Sequence, residues 1–345
     1  MKLKNSKVGV LLVNLGTPDS PSVSDVRKYL REFLMDERVI DIPWLQRFFL
    51  INCVIAPFRA PSSAHGYQQL WTEEGSPLKV YGFGLRDLMQ KALGEDYCVA
   101  FAMRYQNPSI RSALDELKGE ALSELIVIPL YPQYASASTG STIVKVMDEL
   151  KRWEVVPVVK FVGQFHDHPL FIKAFAALGS EHLKQSWYDH VIFSYHGLPE
   201  RQILKASCQS YCKLGDCCNA YHGKNQNCYR AQCFDTTRLL VKELGLKEGG
   251  YTTSFQSRLG KDPWIKPYTD EKIVELAKEG KKRILIFSPA FVADCLETTV
   301  EIGIEYQKLF MDNGGQHWQL VESLNVRREW AECLKAIVHE TQDKS

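Results

Sequence analysis

Eight short runs rich in apolar residues alternate with longer helical patterns from one end of the chain to the other. Several are apolar without a break, as in the segments ELIVIPL (Glu124–Leu130) and RILIFSP (Arg283–Pro289). Unbroken apolar runs mark strands buried on both faces, and such strands occur mainly in parallel sheets covered by helices. The first half offers strands at Val8–Val13, Tyr97–Met103, Leu125–Leu130 and Val155–Val162. Helical patterns lie near Val23–Leu34, His65–Leu93, Ser109–Lys118 and Ser141–Trp153. The second half repeats the rhythm, with strands at His190–Tyr195, Tyr251–Phe255, Arg283–Phe287 and His317–Leu320. Its helices fall at Pro169–Gln185, Ala231–Leu244, Asp270–Lys278, Cys295–Asp312 and Val326–His339. The pattern predicts an α/β protein of two similar doubly wound lobes with parallel sheets and a cleft between them. The expected division is residues 1–162, residues 163–325, and a last helix over 326–345 returning to the first lobe.

Composition narrows the function classes. The 345 residues carry 42 Lys+Arg against 41 Asp+Glu, too even a balance for a nucleic-acid partner held by its phosphates. No tract reaches the ~18 apolar residues of a membrane span. Met1–Val13 imitates a secretory leader, with three lysines before VGVLLV. Its apolar run is short, however, and Asn14-Leu15-Gly16-Thr17-Pro18 stands where a small-residue cleavage site belongs. The segment reads as a buried first strand, and the chain as cytoplasmic.

Three segments break the rhythm. Residues 44–61, WLQRFFLINCVIAPFRAP, are apolar and aromatic with Arg47 and Arg59 near their ends. They read equally as a core helix or as an exposed lip for a greasy ligand or a peripheral membrane contact. The loop Leu130–Gly140 follows a buried strand, at the carboxyl end where doubly wound folds bind ligands. The third is a cysteine-rich stretch: of ten cysteines, six crowd into the 26 residues from Cys208 to Cys233. In a reducing compartment such crowding points to metal before disulfides.

Two places can carry chemistry. His196, in Ser194-Tyr195-His196-Gly197-Leu198-Pro199, directly follows a strand, and Gly197 and Pro199 fix the turn beneath it. A lone His is more often structural, and no G-x-S-x-G elbow supports a hydrolase. Glu297, Glu301 and Glu305 recur every fourth residue behind the strand–loop of Phe287–Cys295. On an isolated helix such like charges repel, and the ordinary reading is a solvated acidic face. A His and a carboxylate at neighbouring strand ends suit divalent-metal binding or proton transfer.

These motifs, taken in order, resemble the ferrochelatases, which insert ferrous iron into a porphyrin. The landmarks run from about Val8 to Val338: Leu12–Pro18, Gly75-Ser76-Pro77, Met103-Arg104-Tyr105, Tyr131-Pro132-Gln133-Tyr134, Ser194–Pro199, Phe255–Arg258, Asp262-Pro263-Trp264 and Ala293–Thr298. The resemblance implies protoporphyrin IX and ferrous iron as substrates. It makes His196 and Glu297 the catalytic pair that handles iron and the pyrrole protons, with Glu301 and Glu305 as the iron path. It also makes Leu15, Arg104, Tyr105, Tyr134 and Trp264 substrate-binding residues. Relatives acting on coproporphyrin typically carry Tyr where this chain has Leu15, so Leu15 favours protoporphyrin. Between Arg201 and Cys233 the chain exceeds short-loop relatives by a segment holding Cys208, Cys212, Cys217, Cys218 and Cys228. Some ferrochelatases hold a [2Fe–2S] cluster on internal cysteines, so four of these five are expected ligands ahead of zinc, with Cys233 the ordinary family cysteine. Other readings are a chelatase of the same fold using another porphyrin or metal, and a non-enzymatic haem or iron carrier with a redox-sensing cluster. A nucleotide-binding protein is disfavoured, since Gly16-Thr17-Pro18 lacks the G-x-G-x-x-G that cradles a pyrophosphate.

Overall fold

A computed structural model describes residues 6–260 and 262–343. The first residues of the leader-like start, and the last two of the C-terminal helix pattern, lie outside them. All eight strands form. They are β1 (Lys7–Gly16), β2 (Tyr97–Tyr105), β3 (Leu122–Pro129), β4 (Val158–Phe161), β5 (His190–His196), β6 (Tyr251–Gln256), β7 (Arg283–Phe287) and β8 (His317–Leu320). They make two four-stranded sheets of order β2-β1-β3-β4 and β6-β5-β7-β8. Every pairing is parallel.

The chain divides into two compact units. The first comprises residues up to Tyr131, Ser136–Gln164 and Asn325 onward; the second comprises Pro132–Ala135 and Phe165–Leu324. In the first, Leu11, Val13, Leu125 and Val127 are fully buried among Ile110, Leu114, Leu117 and Val146 from flanking helices. In the second, Ile192, Ile284 and Ile286 pack against Ile273, Ile302 and Phe310. Burial on both faces is why the strands read as continuous apolar runs. The helix Arg328–Asp343 closes the first unit against the helix Pro77–Leu93.

In each sheet the chain leaves the central strand in one direction and then returns across it. The switch points are therefore β1/β3 and β5/β7, the places where doubly wound sheets seat ligands at their carboxyl ends. Gly16 ends β1 at φ +137°, and a Cβ there would lie 2.3 Å from the Tyr105 carbonyl oxygen. Only glycine fits that approach.

Two expectations change. The helical pattern of His65–Leu93 is two helices, Ala56–Leu70 and Pro77–Leu93. They part at a tight turn in which Thr72 and Gly75 exchange backbone hydrogen bonds. The pattern of Cys295–Asp312 is mostly a π-helix, Leu296–Tyr306, running into the short α-helix Gln307–Asp312. The 44–61 segment is also part π-helix, at Leu50–Ile55. Its Trp44, Leu45, Phe49, Val54 and Phe58 are exposed, so it is a lip and not a core helix. Arg47 is buried beneath it, donating to the carbonyls of Ile40 and Ile42. No helix among the described residues is long and apolar enough to cross a membrane.

At the amino end of β5, burial pushes His190 down to about 4. Nε2 meets the Thr252 hydroxyl at 2.8 Å, while Nδ1 has no partner. Below pH 6.5 the unfolded chain protonates this residue first, so folding stability falls as pH drops from 6.5 towards 4. The contribution is up to about 3 kcal/mol. Urea unfolding of wild type and His190→Gln across that range is expected to show the wild type losing more; parallel curves would dismiss the residue as an acid-sensitive element.

Candidate active site

β5 ends on His196, beside the switch point, and the turn that follows fixes its ring. The carbonyl of Gly197 lies 2.6 Å from His196 Nδ1. A carbonyl only accepts, so the neutral imidazole carries its proton on Nδ1 and presents the Nε2 lone pair. Tyr229 donates to the His196 carbonyl at 2.8 Å. A Cβ on Gly197 would meet the Gln256 carbonyl oxygen at 2.7 Å, so glycine lets this turn sit against β6. The rings of Trp264 and Phe291 flank the imidazole, with centroids 6.5 and 6.3 Å away. Trp264 is half-buried, its indole N–H donating to the Leu259 carbonyl.

After β7 the chain crosses Ser288–Asp294 and enters the π-helix at Cys295, whose backbone N–H receives a cap from the Thr298 hydroxyl. π-Helical turns are rare and cluster at functional sites. This one carries all three glutamates and grades them: Glu297 and Glu301 are half-buried, and Glu305 is exposed. The buried Cys295 thiol is pushed well up, chiefly by burial and further by the Glu297 carboxylate it contacts.

Glu301 is the most enclosed. Its carboxylate accepts from the Ser257 backbone N–H at 2.9 Å, the Ser257 hydroxyl at 2.5 Å, the Tyr306 hydroxyl at 2.9 Å and Gln256 Nε2 at 3.2 Å. Ser257 adopts a left-handed φ of +64°, in the turn that aims both of its donors at one acid. Burial raises the carboxyl of Glu301, while Ser257, His196 and Tyr306 pull it back. The result is a His, one partly open acid and one caged acid near the carboxyl end of the second sheet, side chains of the kind that accept and donate protons.

The remaining expected residues spread over both units. Tyr134 belongs to the second; its backbone N–H donates to Gln232. Leu15, Arg104 and Tyr105 belong to the first. Arg104 bonds Asp36 at 2.6 Å and the Ser141 hydroxyl at 2.7 Å, and its guanidinium lies over the Tyr105 ring. Tyr105 is fully buried with its hydroxyl on Asp36. In this arrangement Tyr105 acts on its surroundings through Arg104 and Asp36. Burial raises Asp36, but Ser141, the Arg38 backbone and Arg104 outweigh it and hold the carboxyl low. Sequence reasoning missed Asp36, Tyr306 and the caging role of Ser257. Only Ser257 left a signal, inside Phe255–Arg258.

The cysteines separate into two groups. Cys208, Cys212, Cys217, Cys218 and Cys228 line one cavity of about 90 Å³, whereas Cys233 is buried apart from it. Cys212 lies beside Cys217, and Cys218 beside Cys228. Backbone N–H groups of Leu214 and Lys213 point at the sulfurs of Cys212 and Cys217, each 3.4 Å away. Cys228 stands at the N-cap position of the helix Tyr229–Leu244. The Cys218 thiol and the first N–H groups of the helix hold Cys228 low, although burial opposes them. Thiols set in two pairs, with backbone N–H groups aimed at the sulfurs, are a donor set whose chemistry fits a two-iron cluster, and no three of these described sulfurs lie within 4.8 Å of one another as a single tetrahedral ion would need.

The sequence profile of the family described as Ferrochelatase matches residues 7–342. The Ferrochelatase of Legionella pneumophila (strain Lens) is 48% identical over 332 residues, covering 96% of this chain and 98% of that protein. The Ferrochelatase of Coxiella burnetii is 44% identical over 331 residues, 96% of this chain and 92% of that protein. Among solved structures, SirB from Bacillus subtilis with Fe3+ aligns with a TM-score of 0.54 at 12% identity, covering 97% of this chain and 95% of that one. That likeness speaks to the fold; the sequence matches place the chain in the ferrochelatase family.

Proposed function

We propose that this enzyme inserts ferrous iron into protoporphyrin IX to form protohaem. The observation that carries the reading is His196, with Nε2 free at the end of β5, on the same switch point as the glutamate-bearing π-helix. A free porphyrin must lose two pyrrole protons as iron enters, with no net electron transfer. Nε2 accepts one proton, and Glu297 passes iron inward or takes the second. Glu301, caged behind it, and exposed Glu305 supply carboxylates leading out to solvent. Flanking aromatic rings suit a flat macrocycle, and Leu15 leaves no phenol where coproporphyrin-using relatives carry one. The exposed apolar lip supports the less polar protoporphyrin as substrate and a peripheral membrane contact in a cytoplasmic enzyme. The test is iron insertion by purified protein with protoporphyrin and coproporphyrin in competition. Preference for coproporphyrin, or haem retention without turnover, would replace this reading.

The cysteine pocket is best read as the seat of a [2Fe–2S] cluster, which Cys212 with Cys217 and Cys218 with Cys228 would hold as two pairs of thiols. Cys208, exposed at the same cavity, is the competing fourth ligand. Bound there, such a cluster would supply cross-links between these thiols through iron. The four thiols would then close a polar, turn-rich segment.

A further inference from the structure

Within the second unit, a different set of ligand atoms converges away from His196 and the cysteine pocket. His166 and Asp167 lie in the turn before the helix Pro169–Gln185, and Asp235 projects from the helix Tyr229–Leu244. One ring nitrogen of His166 and one carboxylate oxygen from each aspartate lie within 4.8 Å of one another. His166 is fully buried, yet neither ring nitrogen has a hydrogen-bond partner. Nε2 is 3.6 Å from Asp235 Oδ2, and Nδ1 is 3.9 Å from Asp167 Oδ1. A buried imidazole left without hydrogen bonds, between two acids just beyond reach, is an incomplete polar site.

The surroundings hold the ring in place. The Thr236 hydroxyl donates to the His166 carbonyl at 3.0 Å, and Gln133 donates to that hydroxyl. Tyr221 packs edge-on against the imidazole, centroids 4.9 Å apart. Arg238 occupies Asp235 Oδ1 at 2.9 Å, which leaves Oδ2 for His166. Asp167 is exposed, so one side stays open to water and to an entering ion. Two ligand atoms each about 2.0–2.2 Å from a common ion stand roughly 3–4 Å apart, as Nε2 and Oδ2 do.

We propose that His166, Asp167 and Asp235 form a second divalent-cation site, distinct from the one that handles substrate iron. One imidazole and two carboxylates, completed by water, suit divalent first-row ions such as Mn2+, Fe2+ and Co2+ better than thiolate-seeking ones such as Cu+. Its position gives it a purpose. The helix that bears Asp235 begins at Cys228, holds the Tyr134 backbone through Gln232, and through Arg238 binds the Cys218 carbonyl at 3.1 Å. An ion at His166 ties this helix to the Phe165–Pro169 turn and braces the cysteine-rich segment from outside its own pocket.

Mn2+, which avoids thiolates, is the probe: it is titrated into the full-length protein, and the free ion is followed by electron paramagnetic resonance. At least one bound equivalent is expected in wild type, and one that persists in Glu297→Gln. His166→Ala and Asp167→Asn should each weaken it at least about tenfold. Mn2+ should also raise the melting temperature of wild type but not of Asp167→Asn. Asp167 is exposed, so its variant decides the matter should His166→Ala fail to fold. Unchanged Mn2+ binding in Asp167→Asn, or loss of the equivalent only in Glu297→Gln, would overturn the proposal.

Discussion

His196→Ala is expected to lower the rate of iron insertion by ~10²–10⁴-fold, the usual cost of losing a positioned general base. Porphyrin binding and the fold should survive. The side chain is half-buried at a strand end and contributes nothing to the cluster of Ile192, Ile284 and Ile286 beneath it. Nδ1 is occupied by the Gly197 carbonyl, so the loss falls on Nε2 chemistry. Glu297→Gln keeps shape and removes charge, and should likewise stop turnover. Glu301→Gln should act differently. That carboxylate accepts four hydrogen bonds, and an amide cannot accept them all, so iron KM should rise while residual turnover remains. Steady-state assays with circular dichroism and porphyrin fluorescence separate these cases. Turnover by His196→Ala within about threefold of wild type would show that the imidazole is not the base.

The parallel sheets were legible because their strands are buried on both faces, so a run such as Ile284–Phe287 carries its environment in its composition. The apolar run of β5 ends within one residue of the strand itself. His196 was legible for the same reason: strand, then glycine turn. The π-helix was not. Side-chain spacing reports which residues are apolar, whereas a π-helix is defined by a five-residue backbone hydrogen-bond step that Leu296–Tyr306 does not spell out. Long-range polar pairs were equally hidden. Asp36 meets Arg104 across 68 positions and Ser257 meets Glu301 across 44, and no local pattern announces either. His166 carries no local signal, because its two acids come from the next residue and from a helix almost seventy positions on.

Cys228→Ser should bleach the protein and unfold the 208–228 segment, with activity lost through instability and not through chemistry. Cys228 is a thiol held low, at the N-cap position of the helix Tyr229–Leu244 and beside Cys218. Removing a metal ligand from a loop without its own core takes away the energy that folds it, and losing a structural metal or cluster belongs among the largest single-residue effects. Cys233→Ser is the control. That thiol is buried outside the cavity, so its variant should keep colour, iron and acid-labile sulfide, apart from a packing cost of about 1–3 kcal/mol. Cys208→Ser and Cys217→Ser then choose between ligand sets. The pairing of Cys212 with Cys217 and of Cys218 with Cys228 predicts that Cys217→Ser bleaches and Cys208→Ser does not. The opposite result would move the fourth ligand to exposed Cys208. A colourless protein holding one zinc would keep the pocket and exchange its metal. A colourless, zinc-free and fully active protein after anaerobic purification would leave five ordinary thiols around a cavity.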